Sequence, residues 1–336
     1  MADLKRPTEQ MKGLLRTVGS NDPKESLAAQ YELAEALTLP LRQGVLSGPI
    51  LGNIFQSVPV ESTNSTFEYP LDMLTPGSEG NFVAFTIPNH GRIPGRHVES
   101  DYIMIPIYDI GNGIEWNMKY ARDARWDIVS RALEIMRMGF VKKLNDDGWH
   151  TILAAAADRN IIVYDADASA GQFTKRLVSL AKLTMRRNGG GNSTSTNRGL
   201  LTDLFVSPEA VEDMRSWGVD QVDDTTRRQI WLADDGSLNN IFSVNIIAYD
   251  EFGVGQEYET YLETDLSVSP VSTGSDVELG VGLDLRAKDS FVMPVKQEVQ
   301  IFPDESMHRR RKMGYYGWAE QGFAVLDNRR CILVSM

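Results

Sequence analysis

Several stretches of the chain carry residue types that do chemistry in other settings. Residues 186–199 read RRNGGGNSTSTNRG, and glycines followed by hydroxyl residues can form loops whose backbone N–H groups cradle phosphate. A loop of that kind follows a strand, opens a helix and ends in Lys followed by Ser or Thr. Here the flanking patterns are helix before and strand after, and no lysine stands between Lys182 and Lys288. Gly189, Gly190 and Gly191 are therefore read as a flexible surface loop, able to line a contact between subunits. Residues 165–171, DADASAG, begin like a calcium loop, with Asp165, Asp167 and Ser169 at alternating positions. Ala170 stands where glycine is needed and Arg176 where a bidentate glutamate belongs, so a turn with a helix cap is expected instead of a metal.

The remaining candidates are weaker. His90, His97, His150 and His308 have neither the spacing of a zinc helix nor a cysteine close by. No Gly-x-Ser-x-Gly elbow is present, and Cys331 lies in an apolar terminal strand, where a buried thiol is inert. Asp146 with Asp147, and Asp234 with Asp235, are sequence neighbours whose side chains diverge. No catalytic, cofactor-binding or metal site is expected. Residues 307–318, MHRRRKMGYYGW, set Arg309, Arg310, Arg311 and Lys312 beside aromatics, a combination that suits single-stranded nucleic acid or an acidic partner. The formal net charge of −12 favours the acidic partner, within the same fold or on a neighbouring copy. Self-association is the leading idea.

The 336 residues suffice for two domains or for one with large excursions, and 42% apolar residues can build a sizeable core. One cysteine excludes an internal disulfide framework, and no run approaches the roughly eighteen apolar residues of a membrane span. The opening residues, MADLKR, lack the apolar run of a signal peptide, so the chain reads as cytosolic when synthesised.

Helices are expected from Pro7 to Val18 and from Pro23 onward, the second capped by Asn21 or Asp22. From Leu39 to Thr66 the sequence turns irregular, as an extended arm does. Phe82–Ile87 and Asp101–Ile110 have strand content, separated by PNHGRIPGRHVES, so a two-stranded excursion with a loose tip is predicted. Val129, Leu133, Met136, Phe140 and Leu144 share one helical face; a helix from Trp126 to Ala157 would reach about 48 Å at 1.5 Å per residue, with a kink or break expected at residues 145–148, NDDG. A helix over Gln172–Arg187 and a strand over Leu200–Val206 follow. Next comes a helix capped by Ser207, with Pro208 in its first turn and Gly218 as its stop, then another helix near Asp224. Strands are predicted at 240–250, Glu278–Leu285 and Phe291–Phe302, and as a terminal pair, Gly322–Leu326 with Arg330–Ser335.

This order of parts resembles the tailed-phage major capsid proteins of the Hong Kong 97-like family. NFVAFTIPNHGRIPGRHVESDYIMIPIYDIGNGIEW, followed by YARDARWDIVSRALE, resembles their extended loop feeding into the spine helix, and DLFVSPEAVEDMRSW resembles the strand and helix of their axial domain. The resemblance covers most of the chain from about Phe67. It implies an α+β capsid fold: an arm with two short helices (1–66), an extended β-hairpin loop with peripheral strands (67–120) and a spine helix (121–165). The axial α/β domain (166–300) and the return strands with the peripheral contact loop (301–336) complete it. His90, Arg92, Arg96, His97 and Glu99 would make inter-subunit contacts from the extended loop, Arg309, Arg310, Arg311 and Lys312 from the peripheral loop, and Gly189, Gly190 and Gly191 would form a flexible axial loop.

The implied function is self-assembly as pentamers and hexamers into an icosahedral shell around double-stranded DNA, without catalysis, specific DNA binding or membrane. The shell would form in the host cytoplasm and become the virion capsid, with scaffolding, portal and decoration proteins as further partners. The family's name-giving member joins an extended-loop lysine to a contact-loop asparagine by an isopeptide bond. This chain has no lysine between Lys24 and Lys119 and no asparagine between Asn245 and Asn328, so a non-covalent shell is expected. Only the stretch to Thr66 precedes the extended loop; if the chain from Met1 is the assembled form, the resemblance implies a scaffold that is a separate protein or these first helices. The alternatives are an encapsulin-type nanocompartment shell, and a soluble α/β enzyme using Asp165, Asp167 and the glycine loop on phosphorylated substrates.

Overall fold

A computed structural model of the chain describes residues 9–20, 22–46, 51–61, 66–70, 102–188, 199–217, 237–271, 277–286 and 290–336. The chain divides into two compact units. One comprises Met1–Glu68, Met104–Gly148 and Val292–Phe323, the other Tyr69–Ile103, Trp149–Phe291 and Ala324–Met336.

The first unit opens with α1 (Glu9–Val18) and α2 (Pro23–Leu46). Asp22 caps α2, its side chain accepting from the Lys24 amide at 3.0 Å and its carbonyl from Ser26 N at 3.0 Å. The helix passes Pro40, where irregular chain was expected, and ends only at Leu46. A proline inside a helix costs about 3 kcal/mol, and packing offsets it. Leu37 and Leu41 are buried, the Ile301 amide donates to Thr38 Oγ1 at 3.3 Å, and Arg42 pairs with Glu298. After the short helix α3 (Leu51–Ile54), strand β1 (Gln56–Pro59) lies parallel to β10 (Phe291–Pro303), so this part of the arm is built into a sheet.

Strands β2 (Thr66–Pro70) and β3 (Tyr102–Pro106) form a two-stranded sheet, so the return strand of the excursion pairs with Thr66–Pro70. The predicted strand Phe82–Ile87 lies outside the described residues. Strand β4 (Tyr108–Asn117) runs antiparallel to β11 (Lys312–Gln321), which runs antiparallel to β10, giving the order β1–β10–β11–β4.

The short helix α4 (Met118–Arg122) leads to α5 (Trp126–Asp158), a 33-residue helix. Val129, Leu133, Met136, Phe140 and Leu144 are all buried, the face predicted from their spacing. Met136 and Phe140 pack on β11 where Gly317 leaves room: a Cβ there would meet Met136 Cε at 2.6 Å and Phe140 Cε2 at 3.2 Å. The expected break at 145–148 does not occur. Lys143 and Asp147 pair at 2.8 Å across one turn, and Leu144 and Trp149 are buried on either side, so packing outweighs the poor helix formers between them.

The second unit holds a six-stranded sheet. Its strands are β5 (Ile162–Val163), β6 (Asp203–Val206), β7 (Ser237–Ile241), β8 (Val244–Ala248), β9 (Leu279–Leu283) and β13 (Cys331–Ser335), and their order is β5–β13–β9–β6–β8–β7. The three central strands, β13, β9 and β6, are buried throughout, as strands covered on both faces must be. On one face Leu204, Val206, Ile246 and Val334 share a core with Leu177 and Met185 of α6 (Lys175–Asn188) and Val211 and Met214 of α7 (Pro208–Ser216). Phe205, pointing the other way by the two-residue period, meets Trp149 at 4.8 Å between ring centres.

The cap of α7 is the one expected: Ser207 Oγ accepts from the Ala210 amide at 3.0 Å, with Pro208 in the first turn. The stop at Gly218 and the helix near Asp224 lie outside the described residues. Residues 240–250 do not form one strand; Phe242 and Ser243, at φ of 52° and 63°, turn β7 back on β8 as a hairpin. Nor do the terminal strands pair with each other. The short β12 (Ala324–Val325) pairs with β10, while β13 inserts between β5 and β9.

Candidate functional site

The basic run occupies the connection between β10 and β11. Asp304 starts it: its carboxylate accepts from Ser306 N at 2.9 Å and Ser306 Oγ at 2.6 Å, while its own amide donates to the Gly314 carbonyl at 2.9 Å. A 3-10 helix, Glu305–Arg310, follows. Arg311, at φ of 56°, reverses the chain into β11, and its carbonyl accepts from Met118 N at 3.1 Å. The turn is thus fixed by its own backbone and by α4.

Arg310 and Arg311 are exposed, and Arg309 belongs to the 3-10 helix. Lys312 is engaged within its own chain, pairing with Glu115 across the β4–β11 ladder. A second tie reaches α2, where Tyr31 donates its hydroxyl to Glu305 Oε1 at 2.9 Å. The aromatics beside the run divide by strand alternation. Tyr315 is 1% exposed and stacks on Trp116 at 5.3 Å, whereas Tyr316 is 45% exposed on the opposite face and stacks on Phe302 at 5.7 Å. Burial pushes the Tyr315 hydroxyl far above its ordinary value, so it stays neutral. Alternate faces do not make a continuous stacking platform for single-stranded nucleic acid, and beside them Arg310 and Arg311 are exposed cations.

The other expected contacts fall differently. His90, Arg92, Arg96, His97 and Glu99 lie between β2 and β3, outside the described residues; the paired strands on either side are the base of that excursion. Gly189, Gly190 and Gly191 also lie outside the described residues, after α6 and before β6. The carbonyl of Asn188, at the end of α6, accepts from both terminal nitrogens of Arg159 at 3.2 Å. Helix before and strand after the glycines is the order expected.

The calcium-like stretch is satisfied by its own chain. Asp165 accepts from the Asp167 amide at 3.2 Å and from Thr174 Oγ1 at 2.7 Å, and Arg176 pairs with both Asp165 and Asp167. The guanidinium thus lies beside both carboxylates that a cation would need. Cys331 is fully buried and its thiol is pushed up by that burial, the reverse of what a nucleophile requires. His150 packs on the Tyr261 ring at 4.2 Å. Among the described residues no group of three or more His, Cys, Asp or Glu side chains is arranged to hold a metal.

Four buried acids, Asp203, Glu259, Glu278 and Asp284, escape the sequence reading. Glu259 is 2% exposed and Glu278 5%, and they belong to segments with no pattern marking them as special. The only textual hint is Glu278 beginning an otherwise apolar run, ELGVGL.

No protein-family profile matches the sequence. No curated protein matches it. Solved structures do resemble the fold. A chain of Microbacterium phage Oxtober96 matches with a TM-score of 0.57 at 10% identity, over 86% of this chain and 91% of that one. The asymmetric unit of the cyanophage Pam1 capsid matches with 0.53 at 11% identity, over 84% and 88%. The head structure of Helicobacter pylori bacteriophage KHP40 matches with 0.52 at 11% identity, over 84% and 87%. At such identities the likeness speaks for architecture: this chain has an α+β fold of the kind found in phage capsids.

Proposed function

We propose that the chain is a major capsid protein of the Hong Kong 97-like family, assembling as pentamers and hexamers into an icosahedral, non-covalent shell around double-stranded DNA. The observation that carries this reading is the likeness to phage capsid and head structures over more than four-fifths of the chain. On this reading α5 and the β10–β11 turn belong to the peripheral domain, and the six-stranded sheet belongs to the axial domain. The excursion between β2 and β3, with His90, Arg92, Arg96, His97 and Glu99, lies across a neighbouring subunit. Arg309, Arg310 and Arg311 meet acids of adjacent subunits, and Gly189–Gly191 face the capsomer axis. The wall does no catalysis and grips DNA only weakly, in keeping with its net charge of −12. Scaffolding, portal and decoration proteins complete the particle, which assembles in the host cytoplasm.

Expression of the full chain, alone and with a candidate scaffold, tests the reading by size exclusion and negative-stain microscopy. Capsomers, tubes or closed shells are expected, with no covalent ladder on a denaturing gel. Shells filled with an enzyme instead of nucleic acid would favour the encapsulin-type alternative. A monomer under both conditions would overturn the shell assignment.

A further inference from the structure

Glu259 and Glu278 are buried in the second unit, and neither faces an arginine or lysine in the surroundings described. Glu278 immediately precedes β9; its amide donates to the Met336 carbonyl at 3.2 Å and its carbonyl accepts from Met336 N at 2.9 Å, so its backbone is locked to the end of β13. Its side chain accepts from Ser207 Oγ at 2.5 Å, and that hydroxyl also caps α7. A hydroxyl donor and a nearby helix N-terminus both favour a charged carboxylate here. Glu259 has none of this. It sits in the four-residue helix Glu257–Thr260, which runs into a π-helical turn, Tyr261–Asp265. Neither of its carboxylate oxygens has a hydrogen-bond partner, and the Leu279 amide acts on it in favour of the charged form.

The carboxylates acting on Glu259 are Glu278 first, then Glu263 on its own segment and Glu209 on α7, while from α5 the His150 ring packs on Tyr258 and Tyr261 of the same segment at 6.0 and 4.2 Å. Glu209 and Asp213 of α7 act likewise on Glu278. Burial, followed by these acids, pushes Glu259 up to about 7. Burial pushes Glu278 up to about 7 as well, against the opposing Ser207 hydrogen bond. The two acids cannot ionise side by side without cost: they take up protons over the same range, and Glu259, which lacks a donor like Ser207, gains most from holding one.

We propose that Glu259 and Glu278 form a proton-operated latch: a proton on Glu259 holds the segment 257–265 against the start of β9, and its loss loosens that segment. The inference concerns one unit of the chain and does not rest on the shell reading. The sign follows from linkage. With the segment docked, the acid holds its proton up to about 7; once the segment opens into water it returns to the ordinary carboxyl range near 4.5. Docking therefore strengthens as pH falls through that window, and is constant above it.

Amide hydrogen exchange of the full chain at pH 5, 6, 7 and 8, followed by mass spectrometry and divided by the intrinsic rates, tests this. Protection in peptides covering 257–268 is expected to fall about tenfold per pH unit from 5 to 7 and then level off. Protection in α6 should not follow it. Glu259→Gln, which mimics the protonated acid, should hold the protection of the wild type at pH 5 across the whole range. Glu278→Gln, which removes a like-charged neighbour, should lower the pH at which protection levels off. A flat wild-type profile, a slope unchanged in Glu259→Gln, or an equal change in α6 would each overturn the latch. Should Glu259→Gln fail to fold, an unshifted levelling-off pH in Glu278→Gln does the same.

Discussion

Gly13 and Gly322 differ by what a single methyl group would meet. At Gly13, in the exposed part of α1, an added Cβ meets nothing within 4 Å. Glycine there only adds conformational freedom to the unfolded chain, so Gly13→Ala is expected to stabilise by about 0.5–1 kcal/mol. At Gly322 the added Cβ would lie 2.3 Å from the Pro106 carbonyl oxygen, a backbone atom, while the Gly322 amide already donates to Pro294 O at 3.0 Å. Neither chain can yield without losing sheet geometry, so Gly322→Ala is expected to cost about 1–3 kcal/mol. Urea titration of the unassembled chain measures both, and equal midpoints for the two variants would refute the packing account. A larger loss belongs to Trp149, whose ring lies 4.8 Å from Phe205, 5.3 Å from Phe252 and 5.8 Å from Tyr258. Trp149→Ala is expected to cost about 3–5 kcal/mol, read as a lowered midpoint and lost near-ultraviolet ellipticity.

At the scale of elements, what the sequence disclosed depended on how local the cause was. The cap at Ser207 and the buried face of α5 follow from residues within a few positions of one another, and both stand as expected. The continuation of α2 past Pro40 depends on Ile301 and Glu298, more than two hundred residues away, and nothing near Pro40 announces them. Strand β11 hid behind its charges and glycines: Met313 and Tyr315 point inward and Tyr316 outward, an alternation that MHRRRKMGYYGW obscures. The β7–β8 hairpin turns on Phe242 and Ser243, with none of the Asn-Gly chemistry that marks such turns in text. Of the expected contact residues, the basic turn was legible as a patch, but the Lys312 pairing with Glu115 needed the strand register. The placement of β13 is the sharpest non-local case. It lies between β5 and β9 and is buried along its whole length. Removing residues 331–336 is therefore expected to abolish the second unit's cooperative unfolding, leaving trypsin to digest α6 and α7 within the time the intact chain survives. Equal protease resistance of the truncated chain would show that the strand is peripheral after all.

Over the whole molecule the charge distribution sets the terms of association. On the proposed shell reading, copies carrying a net charge of −12 repel one another, and that repulsion must be offset by apolar burial and by local opposite charge. Arg310 and Arg311 are projecting cations on a rigid turn, while Lys312 already answers Glu115. The three residues should therefore separate experimentally. Arg310→Glu with Arg311→Glu leaves the fold's own contacts intact, because only the Arg311 backbone is used within the chain, so stability should stay within about 0.5 kcal/mol of the parent. Particles should nevertheless fail to form, and should reappear in part when raised salt screens the new repulsion. Lys312→Glu removes one half-exposed ion pair and is expected to cost less than about 1 kcal/mol, with assembly retained. Sedimentation of the three proteins side by side, with melting curves on the unassembled chains, distinguishes the roles. Normal particles from the double variant would remove the basic turn from the assembly surface, whereas their loss together with an unchanged melting curve would tie the turn to contacts between copies.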